Sequence, residues 1–434
     1  MARADIVTAI DVGTDKCVTI IAAIDKELHT IRVMGVSAIP SKGVKRSQII
    51  DLEQVLVSVT ESLDSAERMA GVEIKSAYVS ISGSHISSLN SKGVVAVAAP
   101  DQEISADDVT RVIEAARAIS LPSDREVIHI IPKCFSVDSQ EGIKDPIGMT
   151  GVRLETEAHI ITGLTTTMRN LEKCILDLGI NLDGFVFSGL ASAEVVLSDT
   201  EKELGVVALD IGAGTTSLCA YVDGSLEFSA SLPIGARHIT QDVALGCRVS
   251  LDAAEKIKTH LSIESLKPLN PHPGESKQDF GKRKKQHDLL QLSDIGVLDE
   301  SESISKKSVV EGIMVPRMKE LINLVGDVLE KKKLYPLVPA GLVITGGGAQ
   351  TVMLAEVAKH TLQLPARVGF PQELQGLTSD IHTPAYSTAI GLLVYGVKQM
   401  QSTDKSGFTF PKMPFSGLTQ LPSRITQFFR SLLP

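Results

Sequence analysis

The sequence predicts an α/β protein of two lobes, each built on the same kind of sheet core, with one inserted subdomain. Three observations carry this. Residues 6–37 and 206–231 share one order of strand, Asp- and Gly-bearing turn, strand, turn and strand, so the second half repeats the opening of the first. A helix over 52–70, apolar at Val55, Leu56, Val59, Leu63 and Ala66 and stopping before Gly71, leads to a strand at 76–82 and completes a β-β-β-α-β unit. Residues 84–160 then carry a period of their own before the first pattern resumes. A chain of 434 residues that is 43% apolar can supply cores for about two to four such units.

Taken in order, strands at 6–10, 17–24 and 30–37 precede the helix at 52–70 and the strand at 76–82. The inserted part reads as a strand at 94–98, a helix at 106–119 and strands at 126–137 and 152–162. Ser105 caps its helix, and Asp108 stands where a capping box usually has Glu. Helices at 168–178 and 190–198 flank a strand near 184–187. Strands at 206–210, 215–222 and 225–231, the last two joined by the Asp223-Gly224 turn, lead to helices at 237–245 and 251–260. Residues 267–307 are rich in Pro, Gly and charge and read as a solvated surface insertion. Acids flank their basic run, Lys282-Arg283-Lys284-Lys285. A helix over 309–333 kinked at Pro316, a strand at 341–345, a triple glycine and helices at 352–361 and 387–400 complete the globular part, and 401–420 is a linker without either period.

Composition excludes several classes. With 43 basic and 52 acidic side chains, a net charge of −9, nucleic acid is not an expected partner. The five cysteines are odd in number and form no CxxC pair, which points to reduced thiols rather than a disulfide framework or a zinc ribbon. No eighteen consecutive apolar residues occur, and Asp5 and Asp11 interrupt the apolar stretch near the start, so neither a bilayer span nor a signal peptide is expected.

Three glycine-bearing turns each follow an apolar strand: Asp11-Val12-Gly13-Thr14-Asp15-Lys16, Asp210-Ile211-Gly212-Ala213-Gly214-Thr215-Thr216, and Gly346-Gly347-Gly348-Ala349 after Thr345. An Asp at a strand end can present its carboxylate to hydrated Mg²⁺, which makes Asp11 and Asp210 the candidate metal residues. Glycine beside it lets backbone N–H groups approach phosphate oxygens without a Cβ clash. The Thr hydroxyls add donors, and Lys16 can place a point charge on a terminal phosphate. Two facing hairpins of this kind would clamp a triphosphate between the lobes. Neither GxxxxGK[ST] nor GxGxxG occurs, so Walker and dinucleotide readings lose support. Glu255 and Lys258, three apart on one helix, are either an ordinary surface ion pair or a pair that reaches ribose hydroxyls.

This ordered set of two phosphate turns, GGG turn and Glu-x-x-Lys helix resembles the actin, heat-shock chaperone and sugar-kinase ATPase superfamily. Within it the chain is most similar to the FtsA family of bacterial cell-division proteins. The marks are the insertion straight after the first β-β-β-α-β unit, Ser188-Gly189-Leu190-Ala191-Ser192 before the second phosphate turn, Val315-Pro316-Arg317 opening the late helix, and Tyr386-Ser387-Thr388-Ala389. The resemblance implies an actin-like two-lobed ATPase fold with duplicated RNase H-like β-sheet cores and an FtsA-type subdomain IC. Its expected boundaries are IA at 1–83 and 161–203, IC at 84–160, IIA at 204–231 and 334–383, and IIB at 232–333 with the charged insertion. A helix returns to IA at 384–400. The resemblance also implies ATP or ADP with Mg²⁺ as ligands. Relatives of this fold usually place Gln or Glu before the second phosphate turn to align water. Here Ser188 to Ala193 offers no carboxylate or amide, which leaves Asp210 as the only weak catalytic candidate and implies slow hydrolysis.

The tail differs from the body. Five of the eleven Phe residues fall after position 407, and no acid lies between Gly407 and Pro434. On a helical wheel Leu421, Ile425, Phe428, Phe429, Leu432 and Leu433 fall within about 140°, with Arg424 and Arg430 on the other side. This is the pattern of a helix lying in the plane of an anionic membrane, too short to bind strongly as one copy. The resemblance then implies a peripheral protein on the cytoplasmic face of the inner membrane at the division site. It would self-associate into filaments, tether the tubulin-like FtsZ through that protein's C-terminal peptide, with Arg317 as candidate contact, and recruit later division proteins through IC. A PilM-type pilus-assembly platform and a sugar or acetate kinase share the fold and remain the alternatives.

Overall fold

The computed structural model describes residues 5–25, 30–97, 103–263, 272, 276–297, 303–377 and 380–406. The chain divides into two compact units, residues 1–397 and 398–434. Of the second, the described residues are the last turns of one helix. The segment carrying Leu421, Arg424, Ile425, Phe428, Phe429, Arg430, Leu432 and Leu433 lies outside the described residues.

The first unit opens with β1 (Asp5–Val12), β2 (Lys16–Asp25) and β3 (Thr30–Pro40), the small hairpin β4 (Val44–Lys45) and β5 (Gln48–Ile49), α1 (Leu52–Ala70) and β6 (Ser76–Ile81). The next stretch holds β7 (Ser87–Ala96), α2 (Ala106–Arg117), β8 (Arg125–Val137), β9 (Gln140–Ile143) and β10 (Arg153–Leu164). It is followed by α3 (Thr165–Asp177), β11 (Asn181–Phe187), α4 (Ser188–Val196) and α5 (Asp199–Leu204). The second half runs β12 (Val206–Ile211), β13 (Thr216–Val222), β14 (Ser225–Leu232), α6 (Ala236–Cys247), α7 (Leu251–Ile263) and α8 (Lys277–Asp288). It continues with β15 (Leu289–Gln291), β16 (Ser303–Ser305), α9 (Lys306–Val309), α10 (Val315–Lys331), β17 (Leu342–Thr345), α11 (Leu354–Leu362), β18 (Ala366–Val368), β19 (Gln375–Gly376) and α12 (Ser387–Ser406).

The two large sheets are copies of one plan. In the first the order is β11-β6-β1-β2-β3-β19, and in the second β14-β13-β12-β17-β18. In each, three strands run antiparallel in chain order and a fourth joins the first strand in parallel, β6 on β1 and β17 on β12. The first strands are apolar because both faces are covered; all six residues of β12 are buried. Helix α1 shows why a helix forms and stops there. Asp51 accepts a bond from the Gln54 amide at its N-terminus. Gly71, at φ +68°, ends it by donating to the Glu67 carbonyl. One face buries Val55, Val59, Leu63 and Ala66.

The stretch between β6 and α3 forms its own four-stranded sheet, order β7-β10-β8-β9, with α2 against it. The Ser105 hydroxyl accepts from the Asp108 amide and the Asp108 carboxylate from the Ser105 amide, so Asp serves in the box as Glu would.

Several elements depart from the sequence reading. β7 begins at Ser87, not 94, because its first half already pairs with His159 to Thr162 of β10, and its polar side chains reach the other lobe. The Ser88 hydroxyl donates to the Ser229 carbonyl over 2.6 Å, and the Asn90 amide to the Glu227 carboxylate over 3.1 Å. The charged stretch 267–307 is not irregular throughout: α8 carries the basic run, and β15 pairs with β16. Pro316 lies within a continuous helical run: α9, a π-helical stretch at 310–314 and α10 follow one another without a break, and the proline comes directly after the π turns, where the regular hydrogen-bond ladder is already interrupted. α12 runs on to Ser406. No helix among the described residues is long and apolar enough to cross a membrane, and all five cysteines are free.

Candidate functional site

A cavity of about 540 Å³ lies between the β1–β2 and β12–β13 turns, the triple glycine and helices α6 and α7. It gathers Asp11, Gly13, Thr14, Asp15, Lys16, Asp210, Gly212, Ala213, Gly214, Thr215, Glu255, Lys258, Gly346, Gly347 and Gly348. Two expected members fall outside it. The Thr216 hydroxyl donates to the Ile234 carbonyl over 2.8 Å and is fully buried, because Thr216 is the first residue of β13 and its side chain alternates away from the turn. Ala349 packs into the second lobe's apolar core.

The two turns close alike. The Gly13 amide donates to the Lys16 carbonyl over 3.0 Å and the Gly212 amide to the Thr215 carbonyl over 2.9 Å. A Cβ on Gly13 would lie 2.7 Å from that carbonyl oxygen. The turn tips meet: a Cβ on Gly214 would lie 2.7 Å from the Thr14 hydroxyl. Ser47 joins them, its amide donating to Thr14 over 3.0 Å and its hydroxyl lying 2.9 Å from that of Thr215.

Each turn holds an aspartate on a hydroxyl from elsewhere. Ser80 donates to Asp11 over 2.5 Å and Thr388, on α12, to Asp210 over 2.8 Å. Burial raises both carboxyls above the usual range, Asp210 to about 6, with Asp11 adding to that rise. Two carboxylates that repel each other across a cleft, Asp210 buried and Asp11 half-buried, form a donor set suited to a hard cation. Mg²⁺ typically takes one or two carboxylates and completes its shell with water and phosphate. No cluster of three His, Cys, Asp or Glu side chains occurs among the described residues. Gly346, at φ +84°, is required at its place: a Cβ there would lie 2.3 Å from Asp210 Oδ1. The first of the three glycines thus packs directly against Asp210.

Lys16 is half-buried, and burial lowers its ammonium below the usual lysine value, opposed by Asp11 and Asp15. Its Nζ lies 3.5 Å from the centre of the Tyr386 ring. At the other end, Lys258 donates to Glu255 over 2.8 Å, with Lys258 largely buried and Glu255 half exposed. Ser188 lines the cleft with its hydroxyl 3.0 Å from that of Ser217. Ser47, Ser80 and Thr388 escaped the sequence reading because only folding brings them to the turns. The sole signal was Thr388's place in the Tyr-Ser-Thr-Ala run.

Arg317 lies elsewhere, on α10. Its guanidinium donates to both Asp242 carboxylate oxygens, over 2.6 and 3.0 Å, and to Glu320 over 2.5 Å. These bonds tie α10 to α6 and raise the Arg317 pKa, the Asp242 bond contributing most.

The duplicated sheets and the cleft between their turns define an actin-like ATPase fold. Solved structures agree. The PilM-PilN type IV pilus biogenesis complex matches with a TM-score of 0.58 at 14% identity, covering 90% of this chain and 98% of that one. MreB 5 of Spiroplasma citri bound to AMPPNP matches with a TM-score of 0.52 at 13% identity, covering 94% and 100%.

Sequence comparison is more specific. The family described as "Cell division protein FtsA" matches residues 207–391, and that described as "SHS2 domain inserted in FTSA" matches residues 83–162. The cell division protein FtsA of Pseudomonas aeruginosa is 34% identical over 94% of this chain and 95% of its own. That of Borreliella burgdorferi is 35% identical over 92% of each, and that of Bacillus subtilis 30% identical over 95% and 88%. The chain belongs to the FtsA family of cell-division proteins.

Proposed function

We propose that the cleft binds ATP with Mg²⁺ and that the nucleotide acts as a conformational ligand holding the two lobes together. The observation that carries this is the pair of like-built turns meeting in one cavity with Asp11, half-buried, and Asp210, buried, on either side. Asp11 and Asp210 would hold the ion, which neutralises phosphate charge when bound. The amides of Ala213 and Gly214, the hydroxyls of Thr14 and Thr215 and the Lys16 ammonium orient the polyphosphate. The stretch from Ser188 to Ala193 before the second turn carries no amide or carboxylate to activate water, so hydrolysis is slow and nucleotide exchange governs the lobe equilibrium. Titration of the protein with Mg²⁺-ATP by calorimetry tests the reading, with Asp210→Asn expected to lose most of the affinity. Binding undiminished by that change rejects it.

Membership of the FtsA family and the tail's composition support a cellular role beyond the cleft. In this reading the protein is a peripheral membrane adaptor at the division site. Residues 421–434 lie on anionic lipid, 84–160 recruit later division proteins, and 232–333 receive the FtsZ C-terminal peptide. Copies self-associate, so that many weak lipid contacts add. Because Arg317 is held by Asp242 and Glu320, an acidic peptide reaching it competes with two carboxylates. Co-sedimentation with anionic vesicles, comparing the whole chain with one ending at Gly417 and with Phe428→Asp, tests the anchor. Both variants are expected in the supernatant; pelleting of both disproves it.

A further inference from the structure

We propose that Thr240 is a positioning residue that fixes Glu255 and Lys258 for the ribose diol, and that it thereby makes the cleft select ribonucleotides over 2′-deoxyribonucleotides. The inference rests on the nucleotide reading above and adds a determinant to it.

Glu255 and Lys258 alone are a weak basis for recognition. They are three residues apart on one helix, and such pairs hold their geometry loosely when one side chain is half in solvent. Here a third group closes the arrangement from a neighbouring helix. Thr240, on α6 and almost fully buried, donates its hydroxyl proton to Glu255 Oε2 over 2.6 Å. It accepts a proton from Lys258 Nζ over 3.0 Å, while Lys258 also donates to the same Glu255 oxygen. Three side chains form a closed ring of hydrogen bonds. The ring fixes which carboxylate oxygen is engaged and leaves Glu255 Oε1 as an acceptor at the cavity wall. Lys258 keeps a further N–H for an oxygen acceptor. An acceptor and a donor side by side match a vicinal diol, whose hydroxyls both give and take hydrogen bonds.

The same helix fixes the ring's place relative to the phosphate turns. The Ala236 amide donates to the Gly212 carbonyl and the Arg237 amide to the Ala213 carbonyl, both over 2.9 Å. Thr240 therefore stands about one helical turn along α6 from its junction with the second phosphate turn. The spacing between the phosphate grip and the diol grip is built into one rigid element. A carboxylate left without its partner hydroxyl is the kind of loss that lets a site built on hydrogen bonds reject an analogue.

The test is equilibrium binding of Mg²⁺-ATP and Mg²⁺-2′-deoxyATP to the full chain and its variants. The wild-type protein is expected to prefer ATP by at least about tenfold. Thr240→Val and Thr240→Ala are both expected to reduce that preference to about twofold, chiefly by weakening ATP, with 2′-deoxyATP little changed. Thr240→Ser, which keeps the hydroxyl, is expected to restore it. A general packing defect would weaken both nucleotides alike and would overturn the proposal, as would a preference that survives in both Val and Ala variants. Wild-type protein that binds the two nucleotides equally overturns this proposal alone. Wild-type protein that binds neither overturns the nucleotide reading and this proposal with it.

Discussion

The two halves of the chain fold to the same sheet plan yet grip the cleft differently. In the first, the turn carries a cation, Lys16, and its aspartate is held by Ser80 from β6 of the same sheet. In the second, the turn carries glycines and hydroxyls, and its aspartate is held by Thr388 from the far end of the chain. The halves also differ in their surroundings. The first receives the inserted sheet and its buried histidines, while the second sends α6 and α7 over the cleft. A duplicated core thus places one aspartate on each side of the cleft but adds a cation only in the first turn and an extra glycine only in the second. The shared part is backbone geometry, which a repeated strand pattern can encode. The divergent part is side-chain chemistry delivered from outside each repeat.

The largest effect should come from the third glycine turn, which packs against Asp210. Gly346→Asp puts a second carboxylate where a Cβ already lies 2.3 Å from Asp210 Oδ1. Leaving an uncompensated buried charge costs about 3–5 kcal/mol, so ATP affinity measured by calorimetry should fall at least about a hundredfold.

The next tests the asymmetry between turns directly. Lys16→Met removes a charge-assisted bond worth about 1.5–3 kcal/mol, and Thr215→Val a neutral one worth about 0.5–1.5 kcal/mol. Affinity should fall more in the first variant than in the second. Equal losses would mean that the two turns contribute alike and that the difference described above has no energetic content.

A third expectation concerns the inserted sheet. His129 is fully enclosed, its Nε2 accepts the Phe187 amide over 3.0 Å, and burial lowers its pKa to about 3. The folded protein therefore keeps this histidine neutral, whereas the unfolded chain takes up a proton below its ordinary value of about 6.5. Stability is unaffected above that pH and declines as pH falls toward 3. At pH 5 this residue alone accounts for about 2 kcal/mol. Hydrogen exchange at pH 7 and pH 5 should show protection lost first around β8 and β11. Equal protection loss in β12 and β17 would contradict this polarity.

The smallest effect belongs to Ser47, which joins the turn tips by two hydrogen bonds. Ser47→Ala keeps the amide bond to Thr14 and removes only the contact with Thr215, so nucleotide affinity should drop by a few fold, about 1 kcal/mol. An unchanged value would show that the tips stay together without that bridge.

Much of the fold could be read from the chain, because buried strands and amphipathic helices leave periods that local sequence must carry. The repeat at 6–37 and 206–231, the cap at Ser105 and the stop at Gly71 are of this kind. β7 was cut short for an instructive reason. Ser87 to Asn90 look like loop residues, yet they pair with His159 to Thr162 of β10 while Ser88 and Asn90 turn their side chains to β14, and a strand whose polar side chains meet another strand has no apolar alternation to reveal it. The turns were equally visible, since Asp and Gly after an apolar strand are local signals. Thr216 and Ala349 were misplaced because strand alternation and core packing, not motif membership, decide where a side chain points.

The sequence by itself determined the repeated sheet plan, the three glycine turns and the family, since each depends on residues adjacent in the chain. Only the tertiary structure decided which hydroxyls hold the two aspartates, that Arg317 is tied to Asp242, and that Thr240 closes a ring with Glu255 and Lys258. Those bonds link residues from 15 to 178 positions apart where they cross elements. A hydrogen bond depends on distance in space, and folding alone sets that distance.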